Sequence, residues 1–204
     1  MGRQGLMVVV GAAVLLGAGI VGTIAFTGGD SGSGTMTMPD GSTMPASEMP
    51  TTESFDRAFI DAMVPHHESA LAMAQEAKDA GLAEPELVAV ADAILATQQA
   101  EIEQMKSWRR DWFGSSEIDP DGADELGMSM EDMGMTGDSA ALAEAEDVDA
   151  AFASAMIAHH QGAVAMAELA LDRSERPEIR ELAQAIVDAQ TDEIERMRPY
   201  AEEG

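Results

Sequence analysis

The 204-residue chain has no cysteine. Disulfides, thiolate metal ligands and a thiol nucleophile are therefore excluded, and any metal site must use imidazole, thioether, carboxylate or carbonyl groups. Aromatic residues make up only 4% of the sequence. A sheet sandwich draws on aromatic and β-branched residues, whereas a chain rich in Ala, Leu, Val and Met suits helices packed through small side chains. Basic residues are also few: 11 Lys and Arg against 38 Asp and Glu, a formal charge of −27. Phosphate binding needs clustered Lys and Arg, so neither nucleic acid nor an anionic lipid surface is an expected partner of the folded part. An acidic surface favours solubility and raises the local concentration of cations.

Histidine is scarce as well, and its four copies fall in two places. The first stretch carries Asp56, Phe59, Met63, His66, His67, Ala70, Met73 and Ala74. The second carries Asp149, Phe152, Met156, His159, His160, Ala163, Met166 and Ala167 at identical spacing. The repeat extends beyond the histidines. Pro85 matches Pro177, Leu87 matches Ile179, Ile94 matches Ile186, Gln98 matches Gln190, Glu101 matches Glu193 and Met105 matches Met197. The repeating unit is thus a hairpin of two helices.

Taken in order, residues 1–28 read as a signal or membrane anchor. Arg3 precedes an uncharged run from Gly5 to Phe26, which places the rest of the chain outside the cytoplasmic membrane, secreted or held by this N-terminal helix. Residues 29–53 form a Gly, Ser, Thr and Pro linker, expected to be disordered, with Met36, Met38, Met44 and Met49. Residues 54–204 form the folded part, with one hairpin at 54–113 and a second at 140–198. In the first helix Phe55, Phe59, Met63, His66, Ala70, Met73 and Ala77 share a face. Ser54 is the expected N-cap, Gly81 the stop, and Pro65 should kink or loosen the helix. The second helix opens at Pro85 with a seam of Leu87, Val90, Ile94, Gln98, Ile102, Met105 and Trp112. The third starts near Ala140 or Val148. The fourth runs from Pro177 to Met197 with a seam of Ile179, Leu182, Ile186, Gln190, Ile194 and Met197. A second linker, 114–139, holds Met128, Met130, Met133 and Met135, so half of the 16 methionines are expected outside the core. Two hairpins bury their apolar faces only by packing together, which predicts an all-α, four-helix bundle with pseudo-two-fold symmetry.

Antiparallel helices rise equally from their turn, so His66 should lie level with Gln98 or Gln99, and His159 with Gln190. Each dyad then sits beside a Gln-x-x-Glu-Ile segment near mid-helix, where a two-fold axis brings the copies together. Adjacent residues on a helix point about 100 degrees apart, so one dyad does not easily grip one ion. Met63 and His67, and likewise Met156 and His160, lie four apart on one face. Thioether with imidazole and no thiolate suits Cu(I), and also Ag(I). Buried His–Glu pairs and helical Met are also ordinary core features. Here the pair is doubled, uses every histidine and comes with methionine-bearing linkers. Di-iron chemistry wants Glu-x-x-His on two helices, but Met63, Val64, Met156 and Ile157 occupy the required positions.

The combined pattern Asp-x-x-Phe-x-x-x-Met-x-x-His-His-x-x-Ala-x-x-Met-Ala, followed by Gln-x-x-Glu-Ile-x-x-Met, resembles the bacterial domain-of-unknown-function family numbered 305, over residues 54–198 in two half-units. The resemblance implies a ferritin-like helical bundle, secreted or anchored, with links in some members to periplasmic copper binding and tolerance. It places His66, His67, His159 and His160 at the dyad positions and Met63, Met73, Met156 and Met166 at the methionine positions. The expected function is extracytoplasmic copper sequestration or handling, Cu(I) before Ag(I), by a binding protein rather than an enzyme. A structural or interaction module with core histidines, or a metal-dependent oxidase, are the alternatives.

Overall fold

The computed structural model describes residues 35–37, 43–45, 52–135 and 139–201. The chain divides into two units, Met1–Met49 and Pro50–Gly204. The expected signal or anchor, 1–28, lies outside the described residues, as do Met38 and Met49. Among the described residues no helix is long and apolar enough to cross a membrane. In the first unit β1 (Thr35–Thr37) pairs antiparallel with β2 (Thr43–Pro45), and Met36 stands opposite Met44.

The second unit is the expected ferritin-like bundle of two hairpins. Its elements are α1 (Thr52–Ala80), α2 (Pro85–Phe113), a short α3 (Gly122–Leu126), a 3-10 segment (Ser139–Glu144), α4 (Val148–Arg173) and α5 (Pro177–Met197). Helix α1 begins two residues before Ser54, so Ser54 is not its N-cap. It continues through Pro65 as one helix and ends before Gly81, whose φ of 105° suits glycine. Of the two starts considered for the third helix, Val148 is the one found. Asp147 caps it, accepting from the Ala150 amide at 3.0 Å. The seam of α5 is wholly buried, and so is that of α2 except Trp112, which is half-buried.

The core falls into two apolar clusters. One joins Phe59, Ile60 and Met63 of α1 to Ala163, Met166 and Ala170 of α4, with Ile102, Met105, Ile179 and Ile186. The other joins Ala70, Met73 and Ala77 of α1 to Phe152, Ala153 and Met156 of α4, with Leu87, Ile94 and Met197. The first half of α1 therefore faces the second half of α4, and the reverse, so the two helices run antiparallel and exchange partners at their dyads. Each cluster holds one equivalent set of repeat methionines: Met63, Met166 and Met105 in one, Met156, Met73 and Met197 in the other. Full burial of one such side chain stabilises by roughly 1.5–3 kcal/mol.

The repeated aspartates tie the hairpins together. Near the start of α1, the buried Asp56 accepts a hydrogen bond from the Ser174 hydroxyl and pairs with Arg176 at 3.1 Å, both in the α4–α5 turn. Asp149, at the start of α4, accepts from the Ala83 and Glu84 amides in the α1–α2 turn at 2.9 and 3.1 Å. Burial pushes the Asp56 carboxyl up, and Ser174 and Arg176 oppose that push. First-turn placement alone accounts for neither residue, since each reaches across to the other hairpin.

The segment between the hairpins does not stay outside the core. Met128 and Met133 are buried within the first cluster, Met135 is half-buried against it, and Met130 is 52% exposed. The expectation that all four linker methionines lie outside the core is therefore corrected for Met128 and Met133. Close backbone approach is the cause. A Cβ on Gly162 of α4 would lie 2.1 Å from the Met133 carbonyl oxygen, and one on Gly134 would lie 2.2 Å from that of Ala158. Gly134 also has a φ of 67°. With glycine at both points, the segment lies flat on α4.

Candidate metal centre

Between the two apolar clusters lies a polar layer. His66, His67, His159 and His160 are each 0–1% exposed, and Gln98, Gln190 and Glu193 are buried with them. As expected for the Gln-x-x-Glu-Ile segments, α2 brings Glu101 to the first dyad and α5 brings Glu193 to the second. Nε2 of His67 lies 2.8 Å from Glu101, and Nε2 of His160 lies 2.8 Å from Glu193. A carboxylate only accepts, so each Nε2 donates, and in the neutral imidazole Nδ1 carries the lone pair. The Nδ1 atoms of both rings are buried and have no hydrogen-bond partner. A carboxylate fixing one ring nitrogen while the other is free to bind is how proteins orient metal-ligating histidines.

The other two histidines meet on the pseudo-two-fold axis. The rings of His66 and His159 stand 3.8 Å apart at 37°, while within each dyad the rings are 6.4 Å apart. Nε2 of His66 donates to the Met133 carbonyl at 2.9 Å; the other ring nitrogens of the pair make no full hydrogen bond, and each ring leans only on the backbone of the other residue. Burial lowers the pKa of His66 to about 3 and that of His159 to about 2, and the neighbouring imidazoles push in the same direction. The Met133 carbonyl partly opposes the shift at His66. Both rings are thus neutral at physiological pH, the state in which imidazole binds metal.

The structure brings the four histidines into one layer and puts the four flanking methionines on both sides of it. Met63, Met156 and Met166 are fully buried, and Met73 is 8% exposed. Among the described residues no group of three or more His, Asp or Glu side chains converges on one point, so the soft donors on offer combine imidazole with thioether. An unpaired buried polar group costs about 1–3 kcal/mol, and a domain's total stability is about 5–15 kcal/mol. A layer with several such nitrogens is expensive for a bundle that leucine would fill.

Sequence reasoning did not find the Met133 carbonyl, Gly134, Gly162 or the buried ion pair of Asp61 with Arg109, 2.9 Å long. A backbone carbonyl has no sequence signature. Gly162 stands where the first copy has Ser69, and that departure from the repeat was a usable signal.

The DUF305 profile, a domain of unknown function, matches residues 24–109 and 82–201. Among curated proteins no match is found. Solved structures do match. CopM in its Cu(I)-bound form is 34% identical, with 71% of this chain and 94% of that chain covered and a TM-score of 0.60. CopM has also been solved in Cu(II)-bound and Ag-bound forms. A DUF305 fragment from Deinococcus radiodurans is 32% identical, with 71% of this chain and 93% of that chain covered and a TM-score of 0.54. A Streptomyces coelicolor DUF305 protein, 24% identical with 76% and 98% covered and a TM-score of 0.65, shares the fold. With two profile matches that together span both hairpins, the chain belongs to the DUF305 family.

Proposed function

We propose that this protein binds copper, as Cu(I), outside the cytoplasmic membrane, and that the histidine layer with its flanking methionines holds the ion. The observation that carries this reading is the set of buried, unpaired ring nitrogens between two methionine-bearing clusters. His67 and His160 supply Nδ1, oriented by Glu101 and Glu193. Met63 and Met156, one helical turn away, supply thioether sulfur, and Met73 and Met166 lie on the far side of each dyad. Imidazole and thioether favour Cu(I) and Ag(I), while Cu(II) would draw more on imidazole and carboxylate. The copper- and silver-bound forms of CopM support the same class of ion. The apolar run before Thr27 supports an extracytoplasmic location, with the chain anchored or released. No bond-making step is needed: the ion is cargo.

The test is an anaerobic Cu(I) competition titration of the full-length chain. In wild type, tight binding and a copper-dependent rise in thermal stability are expected, because a ligand held only by the native state stabilises it. His67→Gln with His160→Gln should abolish tight binding while the helical circular dichroism persists. Met63→Leu with Met156→Leu conserves core volume, costs less than about 1.5 kcal/mol in packing, and should weaken Cu(I) more than Cu(II). Unchanged binding in both variants would return the dyads to the role of core residues.

A further inference from the structure

The histidine layer is sealed, so an ion needs a way in. A cavity of about 350 Å³ opens on one side of the bundle, and His159 forms part of its wall. Met73 of α1 and Met135 of the inter-hairpin segment line the same cavity, with Glu131 and Asp132. The wall is built from three directions: Met73 from α1, Met135 from the segment, and His159 from α4. His159 is 1% exposed and neither of its ring nitrogens makes a full hydrogen bond. Asp132 is engaged by the Ser129 amide and hydroxyl at 3.0 and 2.7 Å, which braces the turn that leads to Met135. Gly134 seats the segment directly on the Ala158–His159 backbone.

We infer that this cavity is an outer cation site, in which Met73 and Met135 capture a soft monovalent ion and hand it to His159, so that the histidine layer loads from one side. The inference rests on the copper reading above and adds an entrance and a residue, Met135, that no equilibrium site in the layer requires. Thioethers at the mouth select soft ions, and the carboxylates raise the local concentration of any cation. At His66, by contrast, Nε2 is held by the Met133 carbonyl. The ion stays Cu(I) throughout, so no oxidant or reductant is involved.

The experiment is anaerobic stopped-flow transfer of Cu(I) from its bicinchoninate complex to the full-length chain, read alongside equilibrium competition. Met135→Leu should slow transfer by about tenfold, the scale on which a supporting group acts at a metal site, with equilibrium affinity nearly unchanged. Met130→Leu, in the same segment but outside the cavity wall, should transfer at the wild-type rate. Circular dichroism confirms folding of each variant. A wild-type rate in Met135→Leu would overturn the entrance while leaving copper binding intact. A parallel loss of rate and affinity in Met135→Leu would overturn it too, by making Met135 part of the equilibrium site. Failure of wild type itself to take up Cu(I) would overturn the copper reading and the entrance together.

Discussion

The two hairpins carry the same motif, yet their histidines end in different surroundings. His67 and His160 are equivalent in sequence and in contact, each 2.8 Å from its glutamate. His66 and His159 are equivalent in sequence only. The first donates to the Met133 carbonyl, while the second leans only on the His66 backbone and borders a cavity. The difference comes from the 22 residues between Phe113 and Thr136, which pack on one side of the axis. A repeat makes two like half-sites, and the connection between them, which has no copy, makes them unlike.

The largest expected effect bears on the most one-sided feature. Asp61 is 1% exposed and pairs with Arg109; the second hairpin has Ser154 and Ala201 at the matching positions. Arg109→Met leaves a buried carboxylate without its cation and should cost about 3–5 kcal/mol. Urea unfolding measures it, and a loss below 1 kcal/mol, on the scale of an exposed pair, would mean that Asp61 is not dry.

A smaller effect is expected from removing the asymmetry itself. In Gly162→Ala the new Cβ meets the Met133 backbone, so the segment must lift from α4. Overpacking of this kind costs about 1–3 kcal/mol. It should also release His66 Nε2, which proton NMR of the imidazole N–H would report as faster exchange with solvent. A variant with wild-type stability and an unchanged N–H signal would show that the segment does not hold His66.

The smallest effect per step is the pH dependence. Both axial histidines have folded pKa values below the unfolded 6.5, at about 3 and about 2. Above pH 6.5 both states are neutral and stability does not change on their account. As pH falls from 6.5 towards 3 the unfolded chain binds protons that the folded chain refuses, so stability falls. Each ring contributes up to about 1.4 kcal/mol per pH unit over that window. His159→Gln and His66→Gln should each flatten the acid limb of a denaturation series by one proton. An unaltered limb would mean that the rings accept protons in place.

Much of this was legible before any coordinates. The 3.6-residue spacing of Leu87, Val90 and Ile94, or of Ile179, Leu182 and Ile186, reports a buried helical face because only one stripe of a helix can turn inward. Pro85 and Pro177 marked helix starts because proline lacks the N–H that a first turn leaves unused. Counting from the turns placed the segments of Glu101 and Glu193 beside the dyads because both helices of a hairpin rise at the same rate. Ser54 was misread locally: helix α1 starts two residues earlier, at Thr52, with Pro65 inside it where the sequence placed it.

The amino-acid sequence by itself therefore determined the hairpin, its repetition, the chemistry of the available donors and the level at which they meet. These follow from local periodicity and from a fixed rise per residue. Tertiary structure alone decided that α1 and α4 cross antiparallel at the dyads and that Asp56 and Asp149 reach into each other's turns. It also decided that Met133 closes one histidine while its partner stays open. Those outcomes depend on how closely backbones approach through space, at Gly134 and Gly162 above all, and no periodic pattern along the chain encodes that distance.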